Sequence, residues 1–324
     1  MTVMVALNSR SGSSLLTEQS YKFMRRDTST STSTPNMTYV YPTYDNLIVF
    51  GDSNTQFGND PAKDGYVSQL AEFYQRQMDV LNRGFRGYNT SAARAIIDKV
   101  LPKTSTAQAS SNTPSNSPSS NTLFHITDKQ GTFGTRASAS TTTLWPYQKQ
   151  NFPGISNILR LIIIMFGTND SHAESAPEYN SLDQYAEDLQ YFISLLQSPD
   201  SEYYSPETRI LIVTPPVVGD RTIQELAASR KTEPVSFNNR TKLYAEKAIQ
   251  VAQAANVAYA DLYTTMEGVM ADYRKNISST DELDGYDKYL IDGIHLNSNG
   301  SAILFNLIHE TITKNWPEMI PLTS

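Results

Sequence analysis

No cysteine occurs in the 324 residues of the chain. That absence excludes disulfides, thiolate zinc sites, iron–sulfur clusters and a cysteine nucleophile. Histidine is nearly as scarce: His125, His172, His295 and His309 are the only four, widely spaced and without an HExxH pattern. A metal centre built on histidine is therefore not expected. Long hydrophobic runs are missing too. The longest clean one, Leu161 to Phe166, is far short of the roughly 20 residues that span a bilayer. Positive charge is not in surplus, since 26 Lys and Arg stand against 33 Asp and Glu for a net charge of −7. Nucleic-acid binding needs clustered cations to displace counterions from phosphates, so it is not expected either. The reading is of a soluble chain whose chemistry uses hydroxyls, carboxylates or imidazole.

The length allows one large domain or two ordinary ones, and composition divides it unevenly. Residues 1–45 are rich in Ser and Thr, with little hydrophobic periodicity, and read as a flexible arm. That arm has no compact apolar core of a signal peptide, and its scattered Arg and Lys give only a faint likeness to a mitochondrial transit peptide. A cytoplasmic location is the expectation. The sequon Asn169-Asp170-Ser171 agrees with it, because secretion would expose that asparagine to glycosylation. From Lys103 to Thr122, eleven of twenty residues are Ser or Thr. Such a stretch buries too little apolar surface to offset its ordering entropy. We read about 103–154 as an insertion within one domain spanning 46–324.

Elsewhere, short apolar runs alternate with amphipathic stretches. Asn46–Phe50, Asp79–Asn82, Ile158–Phe166, Arg209–Thr214 and Val257–Asp261 read as strands. Tyr66–Gln77, Ser91–Leu101, Leu182–Leu196, Ser236–Ala255 and Ser298–Lys314 read as helices. Strands alternating with helices of this length imply parallel βαβ units and a three-layer α/β/α sandwich around a central parallel sheet.

Ligands of such sheets bind outside the carboxyl ends of the strands. Four polar stations lie there or just before the last helix: Gly51-Asp52-Ser53, Asn82 to Asn89, Gly167-Thr168-Asn169-Asp170, and Asp292-Gly293-Ile294-His295. Together they hold the parts of a serine hydrolase. A serine hydroxyl needs a base to take its proton, and histidine suits that role near neutrality. A carboxylate three residues upstream, on a turn entering a helix, can reach back to the imidazole, and Asp292 and His295 have that spacing. The developing oxyanion needs preorganised donors, for which the N–H groups of Ser53 and Gly87 and the Asn169 amide are candidates. Phe57, Tyr66, Phe85 and Tyr88 are candidates for a substrate pocket and equally for core packing. Each station alone has an ordinary explanation: a Gly/Asp/Ser turn, an Asx-turn at Asn169, an N-cap at Asp292. His172, next to the third station, is a rival base.

The ordered set FGDSNTQFG (50–58), NRGFRGYNT (82–90), FGTNDS (166–171) and DGIHLNSNG (292–300) resembles the SGNH, or GDSL-type, hydrolase superfamily. Within it, the run at 64–90 and ILIVTPPVV (210–218) are most similar to the isoamyl acetate-hydrolysing esterase group. The resemblance covers roughly 46–101 and 155–315. It implies a flavodoxin-like fold, Ser53 as nucleophile, His295 as base, Asp292 as its orienter, and Ser53, Gly87 and Asn169 as oxyanion hole. It further implies no cofactor and a small-molecule ester substrate, with acetate esters of small alcohols favoured. Carbohydrate acetylesterase, thioesterase, lysophospholipase or a non-catalytic binding role on the same scaffold would carry the same blocks. The arm, the insertion and Asn54, which follows the serine where an apolar residue is common, depart from the family pattern.

Overall fold

The computed structural model describes residues 45–103 and 158–321. The expected arm and nearly all of the expected insertion, with His125, lie outside the described residues. Five parallel strands form one sheet in the order β2-β1-β3-β4-β5. They are β1 (Asp45–Gly51), β2 (Met78–Gly84), β3 (Leu159–Met165), β4 (Arg209–Val213) and β5 (Ala258–Ala260). This is the flavodoxin-type order, with the direction of winding reversing between β1 and β3.

Apolar residues on both sides of the inner strands explain the layering. Leu47, Val49, Leu161, Ile163, Met165, Leu211 and Val213 enter one core, while Ile48, Phe50, Ile162, Ile164, Ile210 and Ile212 enter the other. Successive strand residues point to opposite faces, so an unbroken apolar run supplies two cores at once. Helices α2 (Tyr66–Phe73), α8 (Leu262–Asn276) and α9 (Ser298–Asn315) cover the first face. Helices α3 (Thr90–Arg94), α4 (Ile97–Val100), α5 (Leu182–Gln197) and α7 (Asn238–Ala254) cover the second. Two further helices are α1 (Ser53–Phe57), directly after β1, and α6 (Asp220–Arg230). His309 sits in α9 with its ring 4.9 Å from that of Phe73, in a packing position.

Several boundaries differ from the expectation for local reasons. The helix expected over 66–77 stops at Phe73, and Arg76 takes a left-handed φ of 67°. The single helix expected over 91–101 is two short ones, α3 and α4, separated at Ala95-Ile96. The apolar periodicity does not mark helices α6 and α8. Only Ile223 and Ala227 of α6 are buried, too few to mark a stripe. In α8, the buried Leu262, Tyr263, Met266 and Met270 are diluted by Thr, Gly and charged residues. No helix among the described residues is long and apolar enough to cross a membrane.

Phe192 is wholly buried on α5, with ring centroids 5.7 Å from Phe50 and 6.2 Å from Phe166. Phe192→Ala should therefore destabilise the fold by about 3–5 kcal/mol, measured by urea denaturation. A loss below about 1 kcal/mol would mean that this layer closes over the cavity or contributes little.

Candidate active site

The carboxyl end of β1 turns sharply into α1. Asp52 is the N-cap, its side chain accepting the Asn54 N–H at 2.9 Å, and Ser53 is the first helical residue. Both are almost completely buried. The turn sits hard against β2: a Cβ at Gly84 would lie 2.0 Å from the Gln56 backbone nitrogen, so only glycine permits this approach. Asn82 reinforces the junction by donating to the Thr55 carbonyl at 2.7 Å and accepting from the Gly84 N–H at 2.8 Å.

The loop after β2 is fastened on both sides. Toward α1, the Phe85 N–H donates to the Gly51 carbonyl at 2.9 Å and the Arg86 N–H to Gln56 Oε1 at 2.8 Å. Toward the loop after β3, Asn169 Nδ2 donates to the Tyr88 carbonyl at 2.8 Å. The Thr90 N–H and hydroxyl both donate to Asp170 Oδ1, at 2.9 and 2.6 Å, and Asn180 donates to the same oxygen at 3.3 Å. Gly87 lies between these ties, exposed, with φ at +78°. A Cβ there would meet nothing within 4 Å. The positive φ is a backbone conformation that favours glycine at this position.

The fourth station is a tight loop before α9. It is closed by the Ile291 N–H donating to the His295 carbonyl at 2.8 Å and by an antiparallel bridge between Leu290 and Leu296. Asp292 uses both carboxylate oxygens within this loop. Oδ1 accepts the N–H groups of Ile294 and His295 at 3.1 and 3.0 Å, and Oδ2 lies 2.8 Å from His295 Nδ1. His295 Nε2 lies 2.9 Å from Ser53 Oγ. The structure therefore brings together Ser53, His295 and Asp292 from stations more than two hundred residues apart, in hydrogen-bond contact.

Charge is distributed in keeping with this geometry. Burial opposes ionisation of Asp292, but the His295 ring bond and the two loop N–H groups outweigh it and hold the carboxyl down at about 2. Asp292 is thus an anion across the neutral range, able to stabilise an imidazolium at His295. Asp52 behaves in the opposite way. Burial pushes its carboxyl up to about 7 against the pull of the Asn54 N–H. Burial likewise raises Asp170 to about 6 despite its bonds to Thr90 and Asn180. His172, the rival base, is buried and makes no hydrogen bond through either ring nitrogen, and its Nδ1 lies 3.8 Å from Glu178. Burial depresses its pKa. Its ring makes no hydrogen bond with Ser53.

A cleft of about 200 Å³ opens beside the imidazole, lined among others by Asn54, Phe57, Lys63, Ile291, Asp292 and His295. The Phe57 ring meets the His295 ring edge-on at 5.0 Å. The other three aromatic candidates are placed elsewhere. Tyr66 is buried in the core, with its hydroxyl 2.9 Å from that of Thr55. The rings of Phe85 and Tyr88 meet at 5.2 Å, tilted by 32°, half-buried against the core layer that holds Phe50. Among the described residues, no three His, Asp or Glu side chains converge as a metal-binding set.

Residues with roles that went unassigned in the sequence include Thr90, Asp170 and Asn180, which tie the second and third stations together. Thr90 and Asp170 sit inside the motifs already noted. Asn180 lies outside any motif and carried no signal.

This fold and site define a serine-hydrolase-like α/β protein, and comparison with known proteins agrees. The chain belongs to the GDSL-like lipase/acylhydrolase family, whose profile matches residues 47–308. It is a carboxylic ester hydrolase of that family. Similar proteins include the Homo sapiens isoamyl acetate-hydrolyzing esterase 1 homolog, 27% identical over 270 residues that cover 83% of this chain and 81% of the relative. The Arabidopsis thaliana GDSL esterase/lipase CPRD49 is 24% identical, with 82% of this chain and 77% of the relative covered. Among solved structures, the acetyl xylan esterase AlAXEase shares the fold with a TM-score of 0.50 and 15% identity, over 82% of this chain and 99% of that one.

Because Asp52 has a carboxyl at about 7 instead of 3.8, the folded state keeps a proton that the unfolded chain has already released. Stability should fall as pH rises through that window. Chemical denaturation of Asp52→Asn should show a shallower decline between pH 4 and 7, with Asp170 and Asp220, whose carboxyls burial also raises, contributing to the remainder. An unchanged slope would show that Asp52 is not held protonated.

Proposed function

We propose that the chain hydrolyses short-acyl, acetate-type esters of small alcohols through an acyl-enzyme on Ser53. The observation that carries this reading is the continuous contact from Ser53 Oγ to His295 Nε2 at 2.9 Å and from His295 Nδ1 to Asp292 Oδ2 at 2.8 Å. His295 accepts the Ser53 proton as Oγ attacks the ester carbonyl, and Asp292 fixes the tautomer and stabilises the imidazolium. The tetrahedral oxyanion is held by the N–H groups of Ser53 and Gly87 and by the Asn169 amide. One Asn169 donor is already committed to the Tyr88 carbonyl, which orients the other. Collapse of the intermediate expels the alcohol, protonated by His295. Water activated by the same imidazole then releases the acid.

Support for a small alcohol comes from the limited cleft beside His295, with Phe57 and Ile291 among its walls. Alcohol leaves on the side of the base that protonates it, and the apolar walls of this cleft support a reading in which it receives the leaving group. Relatives named for isoamyl acetate hydrolysis support the acetate preference.

Ser53→Ala and His295→Ala should each lower kcat for a small acetate ester on the order of 10⁵–10⁶-fold, and Asp292→Asn by less. Wild-type turnover retained by Ser53→Ala would sink the mechanism. Asn169→Ala should reduce kcat about 10²–10³-fold, since it removes one oxyanion donor. A substrate panel of acetates, longer acyl esters, thioesters and sugar acetates, scored by kcat/KM, tests the specificity. A preference for any class other than small-alcohol acetates would overturn that part of the reading.

A further inference from the structure

Asn54 stands one residue beyond Ser53, at a position where a buried polar side chain is costly unless it is bonded. It is 3% exposed. Its side-chain amide is spent on the peptide groups either side of His295. Oδ1 accepts the Leu296 N–H at 3.0 Å, and Nδ2 points to the Ile294 carbonyl at 3.4 Å. The two groups belong to the peptide planes that join residue 295 to its neighbours, so the amide spans the histidine as a paired strand residue would. At the other end, the Asn54 backbone N–H is anchored on Asp52 Oδ1 at 2.9 Å.

From this geometry we infer that Asn54 is a positioning residue: it sets the distance between nucleophile and base by clamping the backbone of the His295 loop to the Ser53 turn. The inference rests on the Ser53–His295 reading given above. Asp292 fixes the imidazole ring relative to its own loop, because all three bonds of that carboxylate lie within residues 292–295. It does nothing to register that loop against α1. Besides the Nε2–Oγ contact itself, Asn54 supplies the direct hydrogen bonds between α1 and the loop segment 294–296. An apolar side chain here leaves a buried N–H and a carbonyl without their partner, and relaxation of that loop segment moves the His295 Cα. A displacement of about 1 Å in a catalytic pair costs on the order of 10²-fold in rate. The substrate-binding surfaces are not part of this clamp, apart from the edge of the cleft, so the loss belongs in kcat more than in KM.

The test uses Asn54→Leu and the nearly isosteric Asn54→Asp in the full chain. The carboxylate of the second keeps an acceptor for Leu296 but turns the contact with the Ile294 carbonyl repulsive. With p-nitrophenyl acetate, both variants should lose about 10–100-fold in kcat with KM within about threefold. Fluorophosphonate labelling of Ser53 should slow in parallel. The downfield proton resonance of the His295–Asp292 bond should broaden or shift, while circular dichroism reports an intact fold. A kcat within about twofold of wild type in either folded variant overturns the inference, as the clamp would then be only structural. Failure of wild-type protein to label at Ser53 overturns the esterase mechanism, and this inference with it.

Discussion

Leu161 to Met165 in β3 send alternate side chains into two separate hydrophobic layers, and none of them reaches water. Among the described helices, α2, α8 and α9 are held by one layer and α3, α4, α5 and α7 by the other. Strands buried this way have no polar face to carry chemistry, so function is pushed to their ends. At the carboxyl edge the apolar runs give way abruptly to Gly51-Asp52-Ser53 and Gly167-Thr168-Asn169-Asp170. The turns there inherit the rigidity of the sheet beneath them.

That inheritance matters because an esterase site needs groups from distant stations held to a few tenths of an ångström. Two sets of ties provide it. Asp170, Thr90 and Asn180 bind the loop after β2 to the loop after β3. Asn82, Gln56 and the Gly51 carbonyl bind the loop after β2 back to the nucleophile turn. Asp170 is buried to do this, as is Asp52 at the turn itself, and both carboxyls are raised accordingly. Stability at neutral pH is lowered by keeping them there, which is a common exchange at functional sites.

The sheet is legible in the sequence because strands buried on both faces leave unbroken apolar, β-branched runs, as in Leu161 to Ile164. The Asp292–His295 pair was readable for a different reason: a carboxylate and an imidazole three residues apart on one turn form a local unit. The α6 and α8 helices escaped because their buried positions are few or mixed with polar residues, so tertiary packing and not periodicity stabilises them. The aromatics near the first two stations show the same limit. Phe57, Phe85 and Tyr88 are alike in sequence. Only Phe57 borders the cleft beside His295, while the other two pack toward Phe50.

Composition and motif order by themselves determined the chemical vocabulary of this protein. Without cysteine and with four histidines, hydroxyl, carboxylate and imidazole remained, and short-range patterns set the strands and the Asp–His turn. Tertiary structure alone decided which histidine meets Ser53, because 242 residues separate Ser53 from His295 and only the folded sheet closes that interval. It also decided what Asn54 is for. A side chain's bonding partners across the fold have no signature in the residues beside it, whereas backbone periodicity and local turns do.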